Sequence, residues 1–157
     1  MENGVRSKMK FRKAKIGDAK EISILRKNTI KKVNGWNLKK EEIIYLMNRN
    51  NPKIIMEKIK KRDMFCLISN KKIIGTVDLH DGEIGSVYVH YKFVRKGIGT
   101  KIMDFIEDYA KKKGIKVVHL KSAKQAKSFY LKRGYKLIKK IKNDKGLVNF
   151  YMEKKLK

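Results

Sequence analysis

Apolar residues along the chain switch between two spacings, and each switch marks an element. Met9 and Phe11 alternate with basic residues, which predicts a strand over residues 9–14. Ile22, Leu25 and Thr29 or Ile30 then recur at helical steps, behind Asp18 and Glu21 at capping-box spacing. Asn34-Gly35-Trp36-Asn37 breaks that helix. A second helix is predicted over residues 39–48, with Ile43, Ile44, Leu46 and Met47. Asn50-Asn51 stops it, and Pro52 suits the first position of a third helix carrying Ile55, Met56 and Ile59. Three strands follow, over residues 64–69, 73–79 and 83–89, separated by Asn70-Lys71-Lys72 and His80-Asp81-Gly82. Ile102, Met103, Ile106, Tyr109 and Ala110 make a helical stripe that ends near Gly114. Residues 115–120 read as a strand. The helix between it and residues 83–89 calls for a parallel crossover. A short helix over residues 123–133 and a hairpin around Asn143-Asp144-Lys145-Gly146 complete the order. The sum is a mixed α/β sheet flanked by helices, in a single domain over residues 1–157.

The stretch from Glu83 to Lys101 carries the candidate chemistry. A strand runs into a basic turn, Val94-Arg95-Lys96-Gly97-Ile98-Gly99-Thr100, that opens a helix. The first turn of a helix leaves N–H groups unpaired at the positive end of the dipole. Glycines remove the side chains that would hold an anion away, and Arg95, Lys96 and Lys101 add full charge. Such a turn suits phosphate. Spacing excludes two common versions. A P-loop needs G-x-x-x-x-G-K-[ST], and a dinucleotide fingerprint needs a third glycine where Ile102 stands.

Charge enlarges the set of anionic partners. The chain has 157 residues, 41% of them hydrophobic, which supports a packed core rather than a disordered tail. Its net charge of +27 suits nucleic acid or another polyanion as well as a small phosphorylated ligand. No apolar run is long enough to span a bilayer, and the first ten residues lack a secretory apolar segment. The lone Cys66 stands inside an apolar run and reads as a core thiol. These features predict a cytoplasmic protein without membrane contact. His119 has no partner at ligand spacing, so no metal is expected.

Two motifs resemble the GNAT superfamily of N-acetyltransferases. Val94 to Gly99 resembles its acyl-CoA seat, Gln/Arg-x-x-Gly-x-Gly/Ala, with Val94 departing from the first position. Ala126-Lys127-Ser128-Phe129-Tyr130-Leu131-Lys132-Arg133-Gly134-Tyr135 is similar to its later A-x-x-F-Y motif, with Ala123 standing where the family often has Asn. The resemblance covers about residues 64–153. It implies a mostly antiparallel sheet with a central splayed parallel pair, acetyl-CoA as co-substrate, and an amine acceptor. It also implies site residues. The backbone of Val87, Tyr88 and Val89 would contact the pantetheine arm, with the Val89 N–H as oxyanion donor. Val94, Arg95, Lys96, Gly97, Ile98, Gly99 and Thr100 would hold the diphosphate. Tyr130 would protonate the leaving sulfur, and Glu83 would take the amine proton, with Asp81 and His90 as alternatives. Lys132 and Arg133 lie within reach of a 3′-phosphate. Pairing through late strands, as in many family members, would give a homodimer.

Two other readings stay open: a nucleic-acid- or ribosome-associated binding protein on the same scaffold, and a CoA-binding domain without turnover. One local feature concerns the acceptor. From Ile73 to Tyr91 there is no Lys or Arg, while Asp78, Asp81 and Glu83 are present. That acidic window is expected to draw an ammonium.

Overall fold

The computed structural model describes residues 9–34 and 38–157. Trp36 and most of the predicted break around it lie outside the described residues. One seven-stranded sheet runs through the molecule in the order β1-β2-β3-β4-β5-β7-β6. Its strands are β1 (Lys10–Lys13), β2 (Asp63–Ser69), β3 (Lys72–His80), β4 (Glu83–Val89), β5 (Val117–Ala123), β6 (Lys136–Lys142) and β7 (Val148–Lys155). Every pairing is antiparallel except β4 with β5. The helices are α1 (Ala19–Thr29), α2 (Lys40–Arg49), α3 (Pro52–Lys61), α4 (Ile98–Lys112) and α5 (Lys127–Lys132).

Both faces of the sheet are covered at β2, which explains why that strand reads as a continuous apolar run. Phe65 and Leu67 point to one core with Ile98, Ile102, Met103 and Ile106 of α4. Met64, Cys66 and Ile68 point to the other, with Ile22 and Leu25 of α1 and Ile55 of α3. Burial pushes the Cys66 thiol up to about 12, in keeping with an inert core thiol.

The predicted elements recur with shifted ends. The strand expected over residues 115–120 runs instead from Val117 to Ala123. Ile115 belongs to the helix stop, its N–H bonding the Ala110 carbonyl at 3.0 Å. The Asp18–Glu21 capping box does not form. Asp18 ends a 3-10 turn, Ile16–Asp18, and its carboxylate takes the Lys15 N–H at 2.7 Å and the Arg12 guanidinium at 2.8 Å. The Glu21 carboxylate reaches across to accept the Ile73 N–H at 2.9 Å, tying α1 to β3.

On the far face, Glu107 of α4 is buried and gathers three donors. Arg133 binds it at 2.9 Å, Tyr135 at 2.8 Å and Lys154 at 2.8 Å. Arg133 also pairs with Asp104, so its charge is committed to α4 rather than free for a phosphate.

Candidate active site

After β4 the chain makes a 3-10 turn, Tyr91–Phe93, and enters the basic segment. His90 serves the turn: its Nδ1 accepts the Lys92 N–H at 3.1 Å and its ring stacks on Tyr91 at 4.7 Å. Arg95 and Gly97 both adopt left-handed backbone, φ 62° and φ 76°. An added Cβ at Gly97 would meet nothing within 4 Å, so glycine is needed there for conformation rather than for space. The Lys101 N–H bonds the Gly97 carbonyl at 3.1 Å and closes the first turn of α4. Ile98 is buried and anchors this end in the core. The N–H groups of Ile98, Gly99 and Thr100 donate to no acceptor among the described residues. Arg95, Lys96 and Lys101 are exposed and have no ion pair among the described residues. Free donors and free cations at one helix start fit a diphosphate.

Next to this turn the sheet opens. β4 and β5 share one register pair, Glu83 with His119, supported by a 3.0 Å bond from the His119 N–H to the Gly82 carbonyl. Beyond it, β5 pairs along its length with β7 and leaves the later part of β4 without a strand neighbour on that side among the described residues. A bulge sharpens the divergence. Thr76 faces Tyr88 and Asp78 faces Gly85, so β4 holds an extra residue, and Ser86 sits at φ 53°. The His90 N–H bonds the Ile74 carbonyl at 2.8 Å. Strand alternation therefore turns the Val89 N–H toward the open edge. The Val89 carbonyl, on that same edge, accepts the Thr29 hydroxyl at 2.9 Å.

The gap widens into a cleft of about 850 Å³, lined by Val87, Tyr88, Ser122 and Tyr130 and, at its other end, by α2, α3 and the β6–β7 turn. Tyr130 is 7% exposed. Its ring packs edge-on to Phe129 at 5.1 Å and Tyr135 at 5.6 Å. Phe129 in turn lies where an added Cβ on Gly99 would meet it at 3.6 Å, which binds α5 to the start of α4. Burial pushes the Tyr130 hydroxyl up to about 12, so it stays a proton donor at neutral pH. That hydroxyl makes no hydrogen bond to a described residue.

Glu83 stands where β4 and β5 are still paired and is not among the cleft-lining side chains. Its carboxylate accepts Arg62 at 3.1 Å, and the same guanidinium holds Asp78 at 2.7 Å. Asp81 lies in the β3–β4 turn with its side chain 90% exposed, beside His80. The acidic window expected to attract an ammonium is thus absent as an open surface. Arg62, distant in sequence, neutralises two of its acids, and the third faces solvent away from the cleft. Gly85 is constrained by this pair: an added Cβ would approach Asp78 Oδ1 to 2.8 Å and Arg62 to 3.2 Å.

Arg26 was not evident as a site residue from the sequence. It is fully buried on α1 and among the described residues reaches only neutral acceptors, Thr76 Oγ1 at 3.2 Å and Asn50 Oδ1 at 3.4 Å among them, with its guanidinium 5.1 Å from the Tyr88 ring centre. Its signal was positional, because Ile22, Leu25, Arg26 and Thr29 occupy one helical face. Among the described residues, no group of three or more His, Cys, Asp or Glu could hold a metal ion, and no helix is long and apolar enough to cross a membrane.

The family model of the acetyltransferase (GNAT) domain matches residues 38–156. No curated protein matches the chain in sequence. Among solved structures, a GCN5-related N-acetyltransferase of Rhodopseudomonas palustris superposes with a TM-score of 0.86 at 19% identity, covering 94% of this chain and 95% of that one. The PaiA N-acetyltransferase of Thermoplasma acidophilum, in complex with coenzyme A, gives 0.76 at 21% identity, covering 94% and 98%. The ribosomal-protein-S18-alanine N-acetyltransferase of Escherichia coli gives 0.70 at 12% identity, covering 94% of each chain.

Proposed function

The chain belongs to the GNAT acetyltransferase family, and on that premise we propose that it moves the acetyl group of acetyl-CoA to a primary amine by direct attack while both are bound. The observation that carries the reading is the single β4–β5 register pair, which leaves the later part of β4 open where Val87, Tyr88 and Tyr130 line one cleft.

Each residue then has a task. The N–H groups of Ile98, Gly99 and Thr100, with Arg95, Lys96 and Lys101, hold the diphosphate. Val94 turns the chain into this seat and offers it no side-chain donor. The open edge of Val87, Tyr88 and Val89 orients the pantetheine arm. The Val89 N–H faces the thioester oxygen, where one donor of this kind contributes about 3 kcal/mol. As the amine nitrogen bonds the acyl carbon and the carbon–sulfur bond breaks, Tyr130 directs its proton at the departing sulfur. The proton leaving the amine passes through water to Glu83, whose carboxylate is paired with Arg62.

Initial-rate assays with acetyl-CoA and a panel of primary amines test this, read as thiol release. Intersecting patterns are expected for a ternary complex, and parallel patterns would overturn direct attack. Loss of rate in Glu83→Gln, restored as pH rises, is expected of a relayed base. An unchanged rate and pH profile would remove Glu83 from the mechanism.

A second reading has one observation of its own. β6 is an edge strand on which Lys136, Lys139, Lys140 and Lys142 are all exposed. With a net charge of +27, such an edge suits a polyanion as the carrier of the acceptor. It requires RNA or DNA affinity that falls steeply with salt, and affinity independent of salt would dismiss it.

A further inference from the structure

The acceptor end of the cleft is cationic. At the α2–α3 end Arg49 and Lys58 line the cleft, with Lys121 and Lys124 on the β5 side, and Glu42 is the one lining acid among the described residues. Glu42 is already engaged, accepting the Lys39 N–H at 2.9 Å at the start of α2. Lys58 projects from α3, is half-buried, and has no hydrogen bond or ion pair among the described residues. The acid closest to it in effect is Asp78, which Arg62 holds at 2.7 Å. Arg49 lies on the facing helix with one nitrogen on the Tyr45 hydroxyl at 2.9 Å, and the rest of its fork has no partner among the described residues. Behind them stands Arg26, buried without a carboxylate partner among the described residues. It grips Asn50 at 3.4 Å and lies 5.1 Å from the Tyr88 ring, and Asn50 and Tyr88 both line the cleft. Asn50 donates to Leu46 O and the Tyr88 hydroxyl, so this wall is fixed in place.

Lys58 is half-buried, feels the charges of the buried Arg26 and the exposed Arg49, and has no counter-ion among the described residues, so an anion would complete it. Burial first, then the charges of Arg26, Arg49 and Arg62, push the Lys58 ammonium below its usual value, as befits a cluster lacking its counter-ion. A polyamine, which carries only positive charge, would meet this wall unfavourably.

Resting on the acetyl-transfer reading above, we propose that the acceptor is a small amine that also bears an oxyanion group, a carboxylate or phosphate, which Lys58 and Arg49 bind while its amine points toward the β4 edge. Lys58 supplies a point charge and Arg49 a fork for two oxygens. The Arg26 guanidinium keeps Asn50 and Tyr88 in position and adds field from behind.

The experiment compares matched amines with acetyl-CoA: L-ornithine with putrescine, L-phenylalanine with phenethylamine, and O-phosphoethanolamine with ethanolamine. The first two pairs read a carboxylate and the third a phosphate. We expect kcat/KM to be roughly 10- to 100-fold higher for the anionic member of at least one pair, the range of a hydrogen-bonded charge contact. In Lys58→Met, which keeps the aliphatic stem, that ratio should fall toward unity, and Lys58→Arg should keep most of it. Lys53→Met, an exposed lysine on the same helix, should leave the ratio as it was. Melting temperatures confirm that each variant folds. Equal or better use of the partners that lack the oxyanion, or a Lys58→Met variant with the ratio intact, overturns the inference and leaves acetyl transfer standing. Absence of transfer to every amine would instead bring down the transferase reading, and this inference with it.

Discussion

Replacing Tyr130 by Phe removes one hydroxyl and little else. The ring contacts with Phe129 at 5.1 Å and Tyr135 at 5.6 Å remain, and no hydrogen bond to a described residue is lost. Stability should therefore change by less than about 0.5 kcal/mol. The catalytic effect follows from proton affinity. Burial holds the Tyr130 hydroxyl at about 12, while an alkyl thiol titrates at about 8.5. Complete transfer of the proton to the thiolate would run about 5 kcal/mol uphill. Tyr130 thus acts by donating a hydrogen bond to growing charge on sulfur, with solvent completing protonation. That places its contribution at the lower end of general-acid effects, about 100-fold in kcat. A thiol-release assay should show this loss with KM for acetyl-CoA little changed. The wild-type rate should also show no falling limb from Tyr130 between about pH 6 and 10, because the hydroxyl remains protonated there. A Tyr130→Phe variant within twofold of wild type would refute the assignment. A limb near pH 10 that vanishes in Tyr130→Phe would refute the burial argument.

The other predictions concern the frame around the site. Gly97→Ala forces a Cβ into left-handed backbone at no steric cost elsewhere, so stability should fall by about 1 kcal/mol and acetyl-CoA affinity with it, measured by melting and titration. Arg62→Met leaves Asp78 buried without its counter-ion and should cost roughly 3–5 kcal/mol in denaturant unfolding, whereas Lys60→Met on the exposed surface should cost little. Burial raises the Glu107 carboxyl, but the bonds from Arg133, Lys154 and Tyr135 outweigh it and hold the group below its ordinary value. A depressed carboxyl stabilises the fold above its unfolded pKa, about 4.3, and loses that stabilisation as pH falls through the folded value. Glu107→Gln should therefore lower stability at pH 7 and flatten the loss between about pH 5 and 3, read from urea unfolding at each pH.

Local features were the ones legible in sequence. The ends of β4 match the sequence reading, because the His80-Asp81-Gly82 turn precedes it and the apolar alternation stops at His90. The turn into α4 was legible because strand and helix periods change across it. What failed depends on residues far apart. Glu21 was read as part of a local cap, yet it bonds Ile73. The acidic window vanished because Arg62 lies 16 residues from Asp78 and 21 from Glu83, a separation no periodicity encodes. Arg26 occupied an apolar helical position, and its charge disguised its burial. The single β4–β5 register pair came from family likeness rather than from any residue pattern, since strand divergence is a property of the assembled sheet.

The account depends most on the start of α4, and residue-resolved amide exchange with and without acetyl-CoA tests it directly. Binding should slow exchange at Ile98, Gly99 and Thr100, whose N–H groups have no acceptor among the described residues, and at Val89 on the open edge. Acetyl-CoA that fails to bind, or that binds and leaves these amides exchanging as before, would contradict it.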